Sequence, residues 1–170
     1  KTGTGLSIAC WNVRTMLDSQ DSKRPERRSA LIAIELARLK VDIAALSEVR
    51  FPEEGSLREN GGGYTLYWSG KPATERRLSG VGFMVKNTIA SKLETLPTGH
   101  SDRIMSMRMP LSNDQHVTLF SIYSPTLQAD QAEKDKFYSE LRTLVKNAPS
   151  EDKILILGDF NARVGQDSEA

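Results

Sequence analysis

Four polar residues stand where apolar, strand-like runs stop. Asn12 follows Leu6 and Ile8, Glu48 follows Ala44 and Leu46, Tyr123 follows Val117 and Leu119, and Asp159 follows Leu155 and Leu157. Side chains alternate along a strand, so each polar residue shares parity with the apolar row beneath it. Asn161 continues the last row by two, while Phe160 falls on the opposite parity and is expected to point away. Brought together, these ends would hold one Glu, one Asp, two Asn and a Tyr over an apolar floor. A set without His or Cys is poor for zinc or thiol chemistry. Oxygen donors with one or two carboxylates suit Mg²⁺, with Mn²⁺ as a substitute, which keeps several waters and shares its shell with a substrate phosphate. The chemistry implied is metal-assisted hydrolysis of a phosphoester, with a carboxylate handling the attacking water. Taken singly, each residue has a plainer role: Glu48 a surface acid, Asn12 a turn cap, Tyr123 an interior ring, Asp159 and Asn161 a turn. Recurrence at four strand ends is what favours a site.

The elements that must position these residues alternate between strands and helices. Strands are expected at Leu6–Trp11, Val41–Ser47, Tyr64–Trp68, Gly80–Lys86, Arg103–Met109, His116–Tyr123 and Lys153–Leu157. Pro25 is placed as the first residue of a helix whose apolar stripe is Leu31, Ile32, Ile34, Leu36, Ala37 and Leu39. Asp130 and Glu133 open a second helix with Phe137, Leu141, Leu144 and Val145 on its buried face, and Pro149 ends it. Residues Ser112–Gln115 read as a hairpin turn, and Pro52–Gly63, rich in charge and glycine, reads as a loop. Hairpins mixed with strand–helix–strand units mean an α/β domain with mixed sheets, and the whole of residues 1–170 is read as one domain.

Composition narrows the class further. The chain has 23 Lys and Arg against 22 Asp and Glu, and 38% of its residues are apolar, which suits a packed core and excludes disordered and low-complexity classes. The charge is uneven: residues 1–110 hold 17 basic and 12 acidic side chains, and residues 111–170 hold 6 and 10. Basic residues cluster at Lys23, Arg24, Arg27 and Arg28 and at Arg76 and Arg77. Such clusters are usually solvated faces, although a polyanion partner fits the asymmetry. A single cysteine, Cys10, excludes an internal disulfide framework and favours a reducing, intracellular compartment. No apolar run approaches the roughly 18–20 residues of a membrane span, so no membrane partner is expected.

Cys-Trp-Asn-Val-Arg (10–14), Leu-Ser-Glu-Val-Arg (46–50), Ser-Ile-Tyr-Ser-Pro-Thr (121–126) and Leu-Gly-Asp-Phe-Asn-Ala-Arg (157–163) resemble, in order and spacing, successive motifs of the endonuclease/exonuclease/phosphatase superfamily. Ser-Asp-Arg-Ile-Met (101–105) and Lys-Asp-Lys-Phe-Tyr (134–138) resemble one branch, the apurinic-type endonuclease domain of non-LTR (LINE-type) retrotransposons and the craniofacial development protein 2-like host proteins. The resemblance implies a two-sheet mixed β-sandwich flanked by helices, a four-layer αββα arrangement. It also implies Mg²⁺-dependent cutting of DNA, and nuclear residence would follow from that substrate. By resemblance, Glu48 is the principal metal ligand with Asn12 close to it, Tyr123 contacts the scissile phosphate, Asp159 orients or deprotonates water, Asn161 holds the phosphate, and Arg103 is a weaker substrate contact.

The family's late Ser-Asp-His motif has no match here. His100 precedes an expected strand and His116 lies in the hairpin, so both read as structural or surface residues. The chain is therefore expected to lack the carboxyl-terminal strands of the sandwich and to be nearly inactive alone. Two alternatives remain open: a phosphatase or phosphodiesterase of the same superfamily acting on lipid or RNA, and a domesticated, non-catalytic fragment serving as a binding module.

Overall fold

The computed structural model describes residues 5–18, 27–75 and 79–160. Among the described residues, nine strands and three helices follow in the order β1 (Ile8–Asn12), α1 (Arg28–Arg38), β2 (Ile43–Ser47), β3 (Glu54–Glu59), β4 (Tyr64–Ser69), β5 (Val81–Lys86), α2 (Asn87–Ala90), β6 (Thr98–Gly99), β7 (Ile104–Pro110), β8 (His116–Tyr123), α3 (Gln131–Asn147) and β9 (Lys153–Asp159). One sheet runs β1-β2-β5-β4-β3 and the other β6-β7-β8-β9. Each is antiparallel except for one parallel pair, β1 with β2 and β8 with β9. A parallel pair needs a long crossover, and the two longer helices, α1 and α3, supply it.

Three apolar clusters account for the layers. Ile43, Ala45, Phe83 and Val85 meet Met105, Met107, Val117 and Leu119 between the sheets. Ala33 and Leu36 of α1 cover Ala44, Leu46, Leu66 and Met84 on the outer face of the first sheet. Phe137 and Leu141 of α3 cover Ile104, Phe120 and Ile122 on the outer face of the second. The result is the expected helix–sheet–sheet–helix stack. Alternation explains it: β2 and β8 are buried on both faces, so their odd and even residues serve different clusters.

Two expectations from the sequence need correction. Pro52–Gly63 is not all loop, because Glu54–Glu59 forms the edge strand β3, paired with β4 from Glu54↔Ser69 to Glu59↔Tyr64. Its charges sit where an edge strand discourages pairing with another chain, and Gly55 leaves room for the Trp68 ring, which a Cβ would meet at 2.3 Å. The apolar rows under the four polar residues also do not share one core. Val117, Leu119, Ile8 and Leu157 face the inter-sheet cluster, whereas Ala44 and Leu46 face α1. Pro25 and the basic residues Lys23, Arg24, Arg76 and Arg77 lie outside the described residues. The hairpin turn falls where expected, with Asn113 and Asp114 both at positive φ and Leu111 N donating to Gln115 O at 2.6 Å. Consecutive left-handed residues match the twist of a two-residue hairpin.

Candidate active site

Both parallel pairs end on the same edge of the sandwich. In the first, Asn12 pairs in register with Ser47, the last residue of β2, and Val13 N donates to Ser47 O at 3.1 Å. Glu48 comes next, with φ +56°. Simple alternation would send it toward α1 with Ala44 and Leu46. The left-handed turn instead brings its carboxylate to Asn12, whose Nδ2 donates to Glu48 Oε2. Arg50, also at positive φ, places its guanidinium 3.3 Å from Glu48 Oε1. Asn12 Oδ1 in turn accepts from Arg14 N at 2.9 Å, holding the loop after β1.

In the second pair, Tyr123 stands in register with Asp159, and Ser124 N donates to Asp159 O at 2.9 Å. Gly158, just before Asp159, has φ +133°, and a Cβ there would lie 2.0 Å from Ile122 O. Only glycine fits such backbone. Arg103 braces Tyr123 from behind: its guanidinium carbon lies 5.2 Å from the ring centroid, Nη1 donates to Tyr123 O at 3.1 Å, and Nη2 is 3.5 Å from Glu133 on α3.

The two halves meet across the sheets. A cleft of about 330 Å³ is lined by Cys10, Trp11, Asn12, Ser47, Gly158, Asp159 and Phe160. Phe160, expected to point away, lines it as well. Burial pushes the Tyr123 hydroxyl above its ordinary value, and the carboxylate of Glu48, then that of Asp159, push it the same way against Arg103 and Arg50. Tyr123 therefore keeps its proton and can donate a hydrogen bond at neutral pH.

Asn12, Glu48, Tyr123 and Asp159 thus share one edge, with Arg103 behind Tyr123. Asn161 lies outside the described residues. Neither histidine joins them. His100 Nε2 is 2.8 Å from Ser106 Oγ on β7, with burial lowering its pKa, and His116 Nε2 is 3.6 Å from Glu94. Sequence reasoning missed Arg50 and the strain around it. Arg14, Glu48, Arg50 and Glu53, all non-glycine residues with positive φ, follow the carboxyl ends of β1 and β2. Clustered backbone strain of this kind is common at functional sites, and its only sequence signal was the Val-Arg that follows both Asn12 and Glu48.

Among the described residues no three His, Cys, Asp or Glu side chains cluster as a ready metal cage. The donors present are two carboxylates and a side-chain amide, all oxygen. Such a set fits a hard divalent cation that keeps most of its waters, and does not fit zinc.

The family model for "Endonuclease/Exonuclease/phosphatase family" matches residues 9–167. The chain belongs to this family. It is 28% identical over 158 residues, 93% of its length, to craniofacial development protein 2 from Bos taurus and likewise to that from Tragulus javanicus. It spans only about a quarter of those proteins, 24% and 25% of their lengths. Among solved structures, it is similar to the Xenopus laevis APE2 catalytic domain, with TM-score 0.58 and 16% identity, covering 91% of this chain and 58% of that one. D. rerio TDP2, solved with a single-strand DNA product, gives TM-score 0.58 and 19% identity over 93% of this chain and 61% of that one. A family protein from Leptotrichia buccalis C-1013-b gives 0.55 and 16%, over 93% and 67%. At these identities the structural likenesses show the fold. No helix among the described residues is long and apolar enough to cross a membrane.

Proposed function

We propose that this chain forms the greater part of a divalent-cation-dependent phosphodiesterase that nicks DNA, of the kind carried by retrotransposons and host genes derived from them. The observation that carries this reading is the meeting of Asn12, Glu48, Tyr123 and Asp159 at one edge of the sandwich, each delivered by a different strand end. Glu48 and Asn12 hold the cation, Mg²⁺ or Mn²⁺, which when bound offsets charge on the phosphoryl oxygens. Asp159 orients the attacking water and takes its proton. Tyr123 donates its hydroxyl hydrogen to a phosphate oxygen, with Arg103 fixing the ring from behind. Asn161, two residues past Asp159, is assigned to the phosphate as well. The basic surplus of residues 1–110 suits the nucleic-acid backbone.

Neither His100 nor His116 stands at this edge. An acid or base absent from a site typically costs about 10²–10⁴ in rate, so this chain alone is expected to nick only weakly. That observation also supports a second reading, a DNA-binding module without turnover. The experiment is nicking of supercoiled plasmid in Mg²⁺, by this chain and by the chain together with whatever its gene encodes after Ala170. Weak nicking by the first, strong nicking by the second when it adds a histidine, and loss of both with Glu48→Ala or Asp159→Ala is the expected result. Undiminished nicking by both variants overturns the roles. DNA binding without nicking by either protein favours the module, and release of phosphate from lipid headgroups in place of nicking moves the substrate elsewhere in the superfamily.

A further inference from the structure

The turn that aims Glu48 at Asn12 is held by residues far from it in the chain. The ladder of β2 with β5 ends at Ser47↔Val81. Beyond it, Val49 N donates to Gly80 O at 3.1 Å and Arg50 N to Ser79 O at 2.9 Å, one residue out of step with that ladder. Glu48, at φ +56°, is the extra residue. An extra residue of this kind bends the strand and re-aims a side chain, and such steps recur beside active sites. Where the Glu48 carboxylate points therefore depends on where Ser79 and Gly80 are held.

Asp102 holds both. The Ser79 hydroxyl donates to Asp102 Oδ2, and Gly80 N donates to Asp102 O at 3.0 Å. Ser79 is buried. Gly80 has φ +106°, and a Cβ on it would stand 3.0 Å from Arg50 N, so this segment lies directly against the turn. Asp102 belongs to the loop that leads into β7. Its neighbour Ser101 is tied to the first sheet, since the Ser101 carbonyl accepts from Ser69 Oγ of β4 at 2.7 Å. Its other neighbour is Arg103, whose carbonyl accepts from Tyr123 N at 2.9 Å and whose guanidinium braces the Tyr123 ring. One run of bonds thus passes from the Glu48 turn on the first sheet, through Ser79, Gly80, Asp102 and Arg103, to Tyr123 on the second. The Gly80–Asp102 link is backbone and would survive any substitution at Asp102. The Ser79–Asp102 link is made by side chains, and a carboxylate acceptor makes it one of the stronger kind.

We infer that Asp102 is a positioning residue for the candidate site: through Ser79 it fixes the turn that aims Glu48, and through Arg103 it registers that turn against Tyr123. The inference rests on the cation role proposed for Glu48 and deepens it, because the two halves of the site are set against each other by a clamp that lies outside the cleft.

The test measures Mn²⁺ binding to the full chain from the electron paramagnetic resonance signal of the free ion, so it does not depend on turnover. The wild type is expected to bind Mn²⁺ saturably, and Glu48→Ala to lose that binding. Asp102→Ala and Ser79→Ala are each expected to weaken it about 10-fold, the low end of the roughly 10–100-fold that follows loss of a ligand's support. The double variant is expected to be no weaker than either single one, since both remove the same bond. Asp102→Asn, which keeps an oxygen acceptor for Ser79 without the charge, is expected to retain most of the affinity. Asp152→Ala, at the opposite end of the β8–β9 pair, is expected to lose stability and keep wild-type affinity, which separates positioning from general loosening. Wild-type affinity in both Asp102→Ala and Ser79→Ala overturns the inference and leaves the cation reading intact. Equal weakening by Asp102→Asn and Asp102→Ala, with Ser79→Ala unaffected, also overturns it, because the charge and not the bond then acts. No saturable Mn²⁺ binding by the wild type overturns the cation reading and the inference with it. Should Asp102→Ala fail to fold, Ser79→Ala and Asp102→Asn decide.

Discussion

The β8–β9 pair carries an acid at each end, and the two are held in opposite ways. At its amino end, Asp152 accepts from Arg108 Nε at 2.8 Å and Nη2 at 3.0 Å and from Thr118 Oγ1 at 2.7 Å. Its side chain is 2% exposed. Both oxygens accept, and the carboxylate ties β7, β8 and the turn before β9 together. At the carboxyl end, Asp159 opens onto a cleft, beside a tyrosine held neutral by its surroundings and opposite Glu48 on the other sheet. Both carboxylates act on the same tyrosine hydroxyl, and in the function proposed above they serve a cation and a water. The same residue type is therefore a fastener at one end and, in the function proposed above, a reagent at the other; what separates them is that the first is buried and the second lines a cleft.

The largest expected effect falls on chemistry. In a protein that nicks plasmid, Asp159→Asn should lower the rate by about 10²–10⁴ while leaving the thermal midpoint nearly unchanged. A comparable loss of stability would make Asp159 a fastener too and erase the contrast. Next comes the backbone that aims it. Gly158→Ala puts a Cβ against Ile122 O at a φ that L residues rarely adopt, and urea unfolding should show a loss of about 2 kcal/mol or more.

Asp152→Ala should cost about 1–3 kcal/mol, the penalty for stranding the buried Thr118 hydroxyl and losing the Arg108 fork, with nicking per folded molecule unchanged. Its hydrogen bonds from Arg108 hold the carboxyl below its ordinary 3.8, with Thr118 adding to this against burial. The unfolded chain titrates near that ordinary value, so Asp152 stabilises the fold above it. That contribution drains away as pH falls from about 3.8 through the lower folded value. Acid titration of the wild type against Asp152→Asn should show this part of the pH dependence vanish in the variant. The smallest effect belongs to a local cap: Asp130 Oδ1 accepts from Glu133 N at 2.8 Å, and Asp130→Ala should cost about 1 kcal/mol.

Much of this architecture is legible in the residues alone. The apolar stripes of α1 and α3, the Asp130 cap and the doubly buried strands follow from local periodicity and hydrogen bonding, which any fold must satisfy. β3 escaped notice because its stabilisation comes from Tyr64–Ser69 across the ladder, while its own composition of glycine and charge reads as a turn.

The polar strand ends were also visible, and so was the chemistry they favour. Which way Glu48 points was not. Alternation sends it toward α1; the left-handed turn at φ +56° sends it to Asn12. That turn depends on backbone bonds to distant segments, Val49 N to Gly80 O at 3.1 Å and Arg50 N to Ser79 O at 2.9 Å. By itself the sequence determined most of the elements, the family and the candidate donors, because those depend on residue types and short spacings. Tertiary structure alone decided which acid is buried among donors and which lines a cleft, because both depend on segments brought from elsewhere in the chain.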